Sequence, residues 1–185
     1  MSTSQITKAA LRQSLKQLMK KYSMNKITVK MITDGCGLTR NTFYNHFADV
    51  YDVLESIFKY EVILELEQCR NLERWKDGLL LMLHYALSNR VICMNTYRSM
   101  GREYMECSLY TTFRKLVKGV IEDICCGKLV DESLKRDLGD FFAFAITGQF
   151  MAWMSGGLKE SPQEFVNRVS SIMEGAIIYL LENRG

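Results

Sequence analysis

Apolar side chains recur along this chain mostly three and four residues apart, a spacing that predicts helices from end to end. From Ser4 to Tyr22 they fall at Leu11, Leu15, Leu18 and Tyr22, while Lys8, Arg12, Lys16 and Lys20 form a separate basic stripe. Ser23-Met24-Asn25 reads as a loop. Ile27-Thr28-Val29 has strand-like composition but is too short to prevail over the helical spacing that follows. Val29, Ile32 and Cys36 then share one helical face, with Thr28 standing where an N-cap belongs. Gly37 sits where a helix ends in a left-handed conformation. After Leu38, Thr39 caps a second short helix that buries Phe43 and Phe47. Its other face displays Arg40, Asn41, Thr42, Tyr44, Asn45 and His46. Two short helices about a glycine turn, the second polar-faced, form a helix-turn-helix, whose second helix enters the DNA major groove.

The remaining elements are longer. Asp49 is a natural N-cap for a fourth helix carrying Val53, Leu54, Ile57, Phe58, Ile63 and Leu64 to about Arg70. Helices are expected from Trp75 to Ser88, Val91 to Met100, Glu103 to Cys126 and Leu134 to Gly156. Ser161-Pro162-Gln163-Glu164 opens the last one, with cap, proline and glutamate in capping-box order. The expected fold is therefore all-α, with about nine helices. Residues 1–48 are expected to form a three-helix helix-turn-helix DNA-binding domain, and 49–185 a helical domain for ligand or partner binding and dimerisation.

Charge sharpens this division. Residues 1–48 hold eight Lys or Arg against one acid, Asp34, for a net of +7, whereas the rest of the chain is −4. A basic head carrying a helix-turn-helix is the electrostatic footprint of phosphate neutralisation. At 185 residues, with 48% apolar side chains and one proline, the chain can bury a sizeable core. No run reaches the ~18 apolar residues of a membrane span, and the first residues lack the apolar core of a secretory signal. A cytoplasmic protein with reduced cysteines and no membrane association is expected, since the six cysteines are irregularly spaced.

Catalytic chemistry finds no constellation. The two histidines, His46 and His84, are isolated from nucleophiles, no phosphate-cradling glycine loop occurs, and no metal-ligand spacing is present. No enzymatic activity and no cofactor or metal is expected. A cysteine sensor using Cys93, Cys107 or Cys125-Cys126 is an alternative with weaker support, because neighbouring side chains on a helix diverge.

Ile27-Thr28-Val29-x-x-Ile32 followed by Cys36-Gly37-Leu38-Thr39-Arg40-Asn41-Thr42-Phe43-Tyr44-x-His46-Phe47 resembles the N-terminal signature of the tetracycline-repressor (TetR) family of bacterial regulators. The segment from Phe141 through Gly148-Gln149-Phe150-x-x-Trp153 to Gly157-Leu158-Lys159-Glu160-Ser161-Pro162 resembles a branch that includes regulators of dihydroxyacetone-kinase operons. The resemblance implies that Thr39, Arg40, Asn41, Thr42 and Asn45 touch base edges or adjacent phosphates, and that Lys30, Tyr44 and His46 hold the DNA backbone. Two departures stand out: Val50 occupies a position where many relatives carry lysine, and Gly35 and Cys36 stand where alanines are frequent.

A helix-turn-helix of this kind reads two half-sites of a palindromic operator in double-stranded DNA as a symmetric homodimer. The two last helices are expected to pair with their symmetry mates through Ala145, Gly148, Ala152, Gly156, Phe165, Val169, Ile172, Met173 and Ala176. An effector pocket is expected to be lined by Tyr85, Met94, Tyr97, Met100, Tyr104, Met105, Phe113, Phe142 and Met151. The chain thus reads as a transcriptional repressor released by a small-molecule effector. The alternative is a DNA-bound activator or adaptor controlled by a partner protein.

Overall fold

In the computed structural model, which describes residues 3–99 and 101–184, every regular element is helical. Met100, one of the residues expected at an effector pocket, lies outside the described residues. The elements are α1 (Thr3–Met19), α2 (Val29–Asp34), α3 (Arg40–Tyr44), α4 (Val50–Phe58), α5 (Trp75–Ser88), α6 (Arg90–Tyr97), α7 (Gly101–Ile124), α8 (Glu132–Ser155) and α9 (Pro162–Arg184). Where a plain loop was expected, Met24–Lys26 forms a short 3-10 turn.

Local chemistry explains the ends. Asp49 accepts from the N–H groups of Tyr51 and Asp52, at 2.8 and 2.9 Å, and Asp52 in turn accepts from Ala48 N–H. Asp131 caps α8 by accepting from Ser133 N–H. Ser161 and Glu164 cap α9 reciprocally, each accepting from the other's backbone N–H.

The expected fourth helix does run on to Cys69, but not as a continuous α-helix. After α4 the chain forms a π segment, Lys59–Ile63, then Leu64–Leu66 and a 3-10 turn, Glu67–Cys69. The buried residues follow it: Val53, Ile57, Val62, Leu66 and Cys69, with one five-residue step that spans the π segment. Leu64, expected to point inward, is half exposed as a result.

The chain divides into two compact units. One unit comprises Met1–Glu61 with Asn89–Met105; the other comprises Val62–Ser88 with Glu106–Gly185. The physical reason is the core of the first unit. Leu11, Leu15, Met19, Met24, Ile27, Ile32, Phe43, Phe47, Val53, Leu54 and Ile57 form one buried cluster that also takes in Ile92 of α6. The first unit carries twelve Lys or Arg against six Asp or Glu, for a net of +6, and the second is −3.

In the second unit α9 packs on α5, and Trp75 donates its indole N–H to Glu174 at 3.1 Å. The α8–α9 corner is closed by a bidentate pair between Arg168 and Glu160, while Trp153 donates to the Glu160 carbonyl. The Arg168 guanidinium holds the Glu160 carboxyl below its ordinary range. Leu158 at this corner adopts φ 60°, a left-handed conformation held by its N–H bond to the Trp153 carbonyl.

Gly119 of α7 is required by packing. A Cβ there would stand 2.1 Å from the Arg70 carbonyl oxygen, a backbone atom that cannot swing aside. Gly119→Ala is expected to destabilise the protein by about 1–3 kcal/mol through overpacking. The shift in the urea midpoint against wild type measures it.

Candidate nucleic-acid interface

The turn between α2 and α3 is built by hydrogen bonds that its residue types dictate. Thr28 accepts from Met31 N–H at 3.3 Å, and Thr39 accepts from Thr42 N–H at 3.1 Å. Helix α2 stops at Asp34, earlier than its apolar face implied. Cys36 already belongs to the turn, with its thiol donating to the Ile32 carbonyl. Gly37 takes φ 68°, and Leu38 N–H then bonds back to the Thr33 carbonyl. Gly35 lies against α1: a Cβ there would fall 2.5 Å from the Ser14 hydroxyl, which donates to the Ile32 carbonyl. Glycine here thus leaves room for the α1–α2 crossing.

Helix α3 is anchored by Phe43 and Phe47, both buried, with rings 6.1 Å apart. This fixes the opposite face. Thr39, Arg40, Asn41, Tyr44 and Asn45 are exposed, and Thr42 and His46 are half-buried. Tyr44 is 59% exposed with its ring edge against Phe43, so its hydroxyl reaches outward from a fixed base. The eight expected DNA-contact residues therefore lie on or beside one short helix, apart from Lys30 on α2. The ammonium of Lys30 is held by Asp34 one turn on, so a phosphate must compete with that carboxylate for it.

The basic stripe of α1 has a split role. Arg12 donates to Ser56 and lies over the Tyr60 ring, and Lys16 bonds Glu61 at 2.8 Å, so both are occupied within the unit. Lys8 sits over Phe47, and Lys20 is exposed.

Asn95 is the residue that sequence reasoning missed. Its amide donates to the carbonyls of Met19 and Tyr22 at 2.8 and 2.7 Å, and its oxygen accepts from Met24 N–H at 2.8 Å. It thereby satisfies backbone groups left open where α1 ends. The available signal was a lone amide one turn beyond the buried Ile92.

The residues expected to line an effector pocket are divided between the units. Met94, Tyr97, Tyr104 and Met105 belong to the first, and Tyr85, Phe113, Phe142 and Met151 to the second. Phe113, Phe142 and Met151 are buried in the packing of their unit, and Tyr104 is exposed, stacked on Tyr51 at 5.0 Å. The expected dimer set also divides. Ala145, Gly148, Ala152, Gly156 and Ile172 are exposed and Ala176 is half-buried, but Phe165, Val169 and Met173 are buried inside their own unit. Those three pack within the unit itself. The exposed face instead carries Phe141 and Phe144 on α8 and Tyr179 on α9, 63–67% exposed.

Among the cysteines, Cys93 is buried, and its burial followed by the Glu61 carboxylate pushes its thiol up to about 12. It stays protonated and unreactive at neutral pH. No group of His, Cys, Asp and Glu among the described residues is placed to hold a metal ion, and no described helix is long and apolar enough to cross a membrane.

Residues 73–175 match the model of a transcriptional regulator C-terminal region of TetR type. Over 91 residues the chain is 29% identical to the HTH-type dhaKLM operon transcriptional activator DhaS of Lactococcus lactis subsp. lactis (strain IL1403). That alignment spans 49% of this chain and about half the length of the relative. The fold is similar to the structure of a dihydroxyacetone kinase operon activator, DhaS, with a TM-score of 0.72, 21% identity and coverage of 93% and 96% of the two chains. It is also similar to NalD, the secondary repressor of the MexAB-OprM multidrug efflux pump in Pseudomonas aeruginosa, with a TM-score of 0.63, 16% identity and coverage of 94% and 96%.

Removing the Asn95 amide leaves two carbonyls and one N–H without their partner. Asn95→Ala is expected to cost about 1–3 kcal/mol and to speed amide exchange at Met24. Hydrogen exchange with urea unfolding reads both.

Proposed function

Because the chain belongs to the TetR family of transcriptional regulators, we propose that it acts as a homodimer binding a palindromic operator in double-stranded DNA through Thr28–Phe47. The observation that carries this reading is the polar face of α3, fixed by two buried phenylalanines and set on a unit of net +6. Arg40 suits bidentate pairing with guanine O6 and N7, and Asn41 or Asn45 with adenine N6 and N7. Tyr44, His46 and Lys30 set register on phosphates without reading sequence. Val50 leaves the start of α4 without the lysine common in relatives, so phosphate neutralisation rests on the remaining bases of the first unit.

Dimerisation is supported by the exposed face of α8 and α9. Phe141, Phe144, Ile172 and Tyr179 are large apolar groups open to solvent, and small Ala145, Gly148 and Ala152 lie among them. Nothing lies within 4 Å of a Cβ built at Gly148, so no packing within the chain calls for glycine there. Close approach by a second helix does.

For the mode of control, a repressor released by a small effector needs a pocket, whereas an activator or adaptor needs an outward surface for a partner protein. Two observations favour the second reading: Phe113, Phe142 and Met151 are consumed in core packing, and the curated relative DhaS is an activator. A promoter fusion in a deletion strain separates the two, since reporter output falls on deletion of an activator and rises on deletion of a repressor.

Arg40→Ala is expected to lose preference for the cognate operator by about 1–3 kcal/mol of discrimination while keeping weak, salt-sensitive binding. Unchanged site preference in competition gel shifts would remove Arg40 from the reading role. Gly148→Glu places a charge on the exposed α8 face and is expected to yield folded monomers by sedimentation velocity. A dimer of undiminished stability would place the interface elsewhere.

A further inference from the structure

On the first unit, the turn after α1 and one side of α6 enclose an open cleft of about 430 Å³, lined by Ser23, Arg90, Val91, Met94, Asn95 and Arg98. Asn95 is spent on backbone groups and forms a fixed wall. The other polar groups are not spent. Among the described residues neither the Arg90 nor the Arg98 guanidinium has an ion-pair or hydrogen-bond partner. The Ser23 side chain makes no cap bond to the 3-10 turn that follows it. Val91, 57% exposed, and the edge of Met94 supply an apolar surface beside these donors.

The cleft between α7 and α8 makes a useful contrast. It is lined by four bases, Arg114, Lys118, Lys135 and Arg136, but each is matched: Arg114 with Asp140, Lys118 with Glu122, Lys135 with Glu132 and Arg136 beside Asp137. In the α6 cleft two arginines and a serine line a cavity that has no carboxylate in its lining. Arg90 and Arg98 start roughly 12 Å apart along the helix axis, a span that two arginine side chains close around one small molecule. Guanidinium groups bind oxyanions in bidentate fashion, and the apolar strip between them suits a hydrocarbon body.

We propose that this cleft binds a small organic anion, a phosphate ester or carboxylate with an apolar body, held by Arg90, Arg98 and Ser23. The occupant bridges the turn after α1 to α6, the same joint that Asn95 secures. This site is separate from α3 and does not depend on the DNA-binding reading.

The test is calorimetric titration of the full chain at constant ionic strength with phenyl phosphate, benzoate and benzyl alcohol. One saturable site per chain is expected for an anion and none for the alcohol. Tighter binding of phenyl phosphate assigns a phosphate ester, and tighter binding of benzoate assigns a carboxylate. Arg90→Gln with Arg98→Gln is expected to weaken binding about tenfold or more, whereas Lys118→Gln in the other cleft and Arg40→Ala on α3 leave it unchanged. If the double variant fails to fold, Val91→Asp at the exposed rim takes its place and is expected to expel the anion. The proposal is overturned by the absence of saturable anion binding, by equal affinity for the alcohol, by undiminished affinity in the cleft variants, or by loss in Arg40→Ala or Lys118→Gln.

Discussion

The first unit depends on a borrowed helix. Residues 1–61 supply most of its core, yet Ile92 completes the cluster and Asn95 secures the corner after α1, both from α6. Burying one isoleucine is worth about 1.5–3 kcal/mol, and three hydrogen bonds to otherwise open backbone groups add to it. A small three-helix head is marginal alone, because so short a chain buries too little of its surface. The placement of α3, and hence of every side chain argued to meet DNA, rests on contacts made by residues remote in sequence.

Features governed by neighbours within four residues were legible in the sequence. The caps at Thr28, Thr39, Asp49 and Ser161 and the left-handed Gly37 are local chemistry, and each stands where it was read. The buried and exposed faces of α3 were equally plain, because two phenylalanines one turn apart leave a single solution. What the sequence could not separate was the purpose of like-looking residues. Lysine and arginine on α1 share one stripe, but Arg12 and Lys16 are taken up by Ser56, Tyr60 and Glu61, partners more than forty residues away.

The apolar residues of α9 pose the same problem. Phe165, Val169, Met173 and Ile172 all read as interface material, since periodicity states that a face is apolar without stating what covers it. Only the packing separates the buried three from exposed Ile172. The methionines and aromatics assigned to a pocket raise the same question. A core and a ligand cavity draw on the same residue types, so composition does not decide between them.

The π segment at Lys59–Ile63 has a consequence for how this chain tolerates changes of length. One additional residue per helical turn displaces everything downstream by about 100° around the helix axis. The buried series registers that displacement as the single five-residue step from Ile57 to Val62. Deleting one residue there would set Val62 four residues after Ile57, the spacing of a regular α-helix, whereas the present five-residue step needs the π turn to stay in register. The segment is a spacer that absorbs one extra residue, while Tyr60, Glu61 and Val62 within it are fixed in type by Arg12, Lys16 and the core.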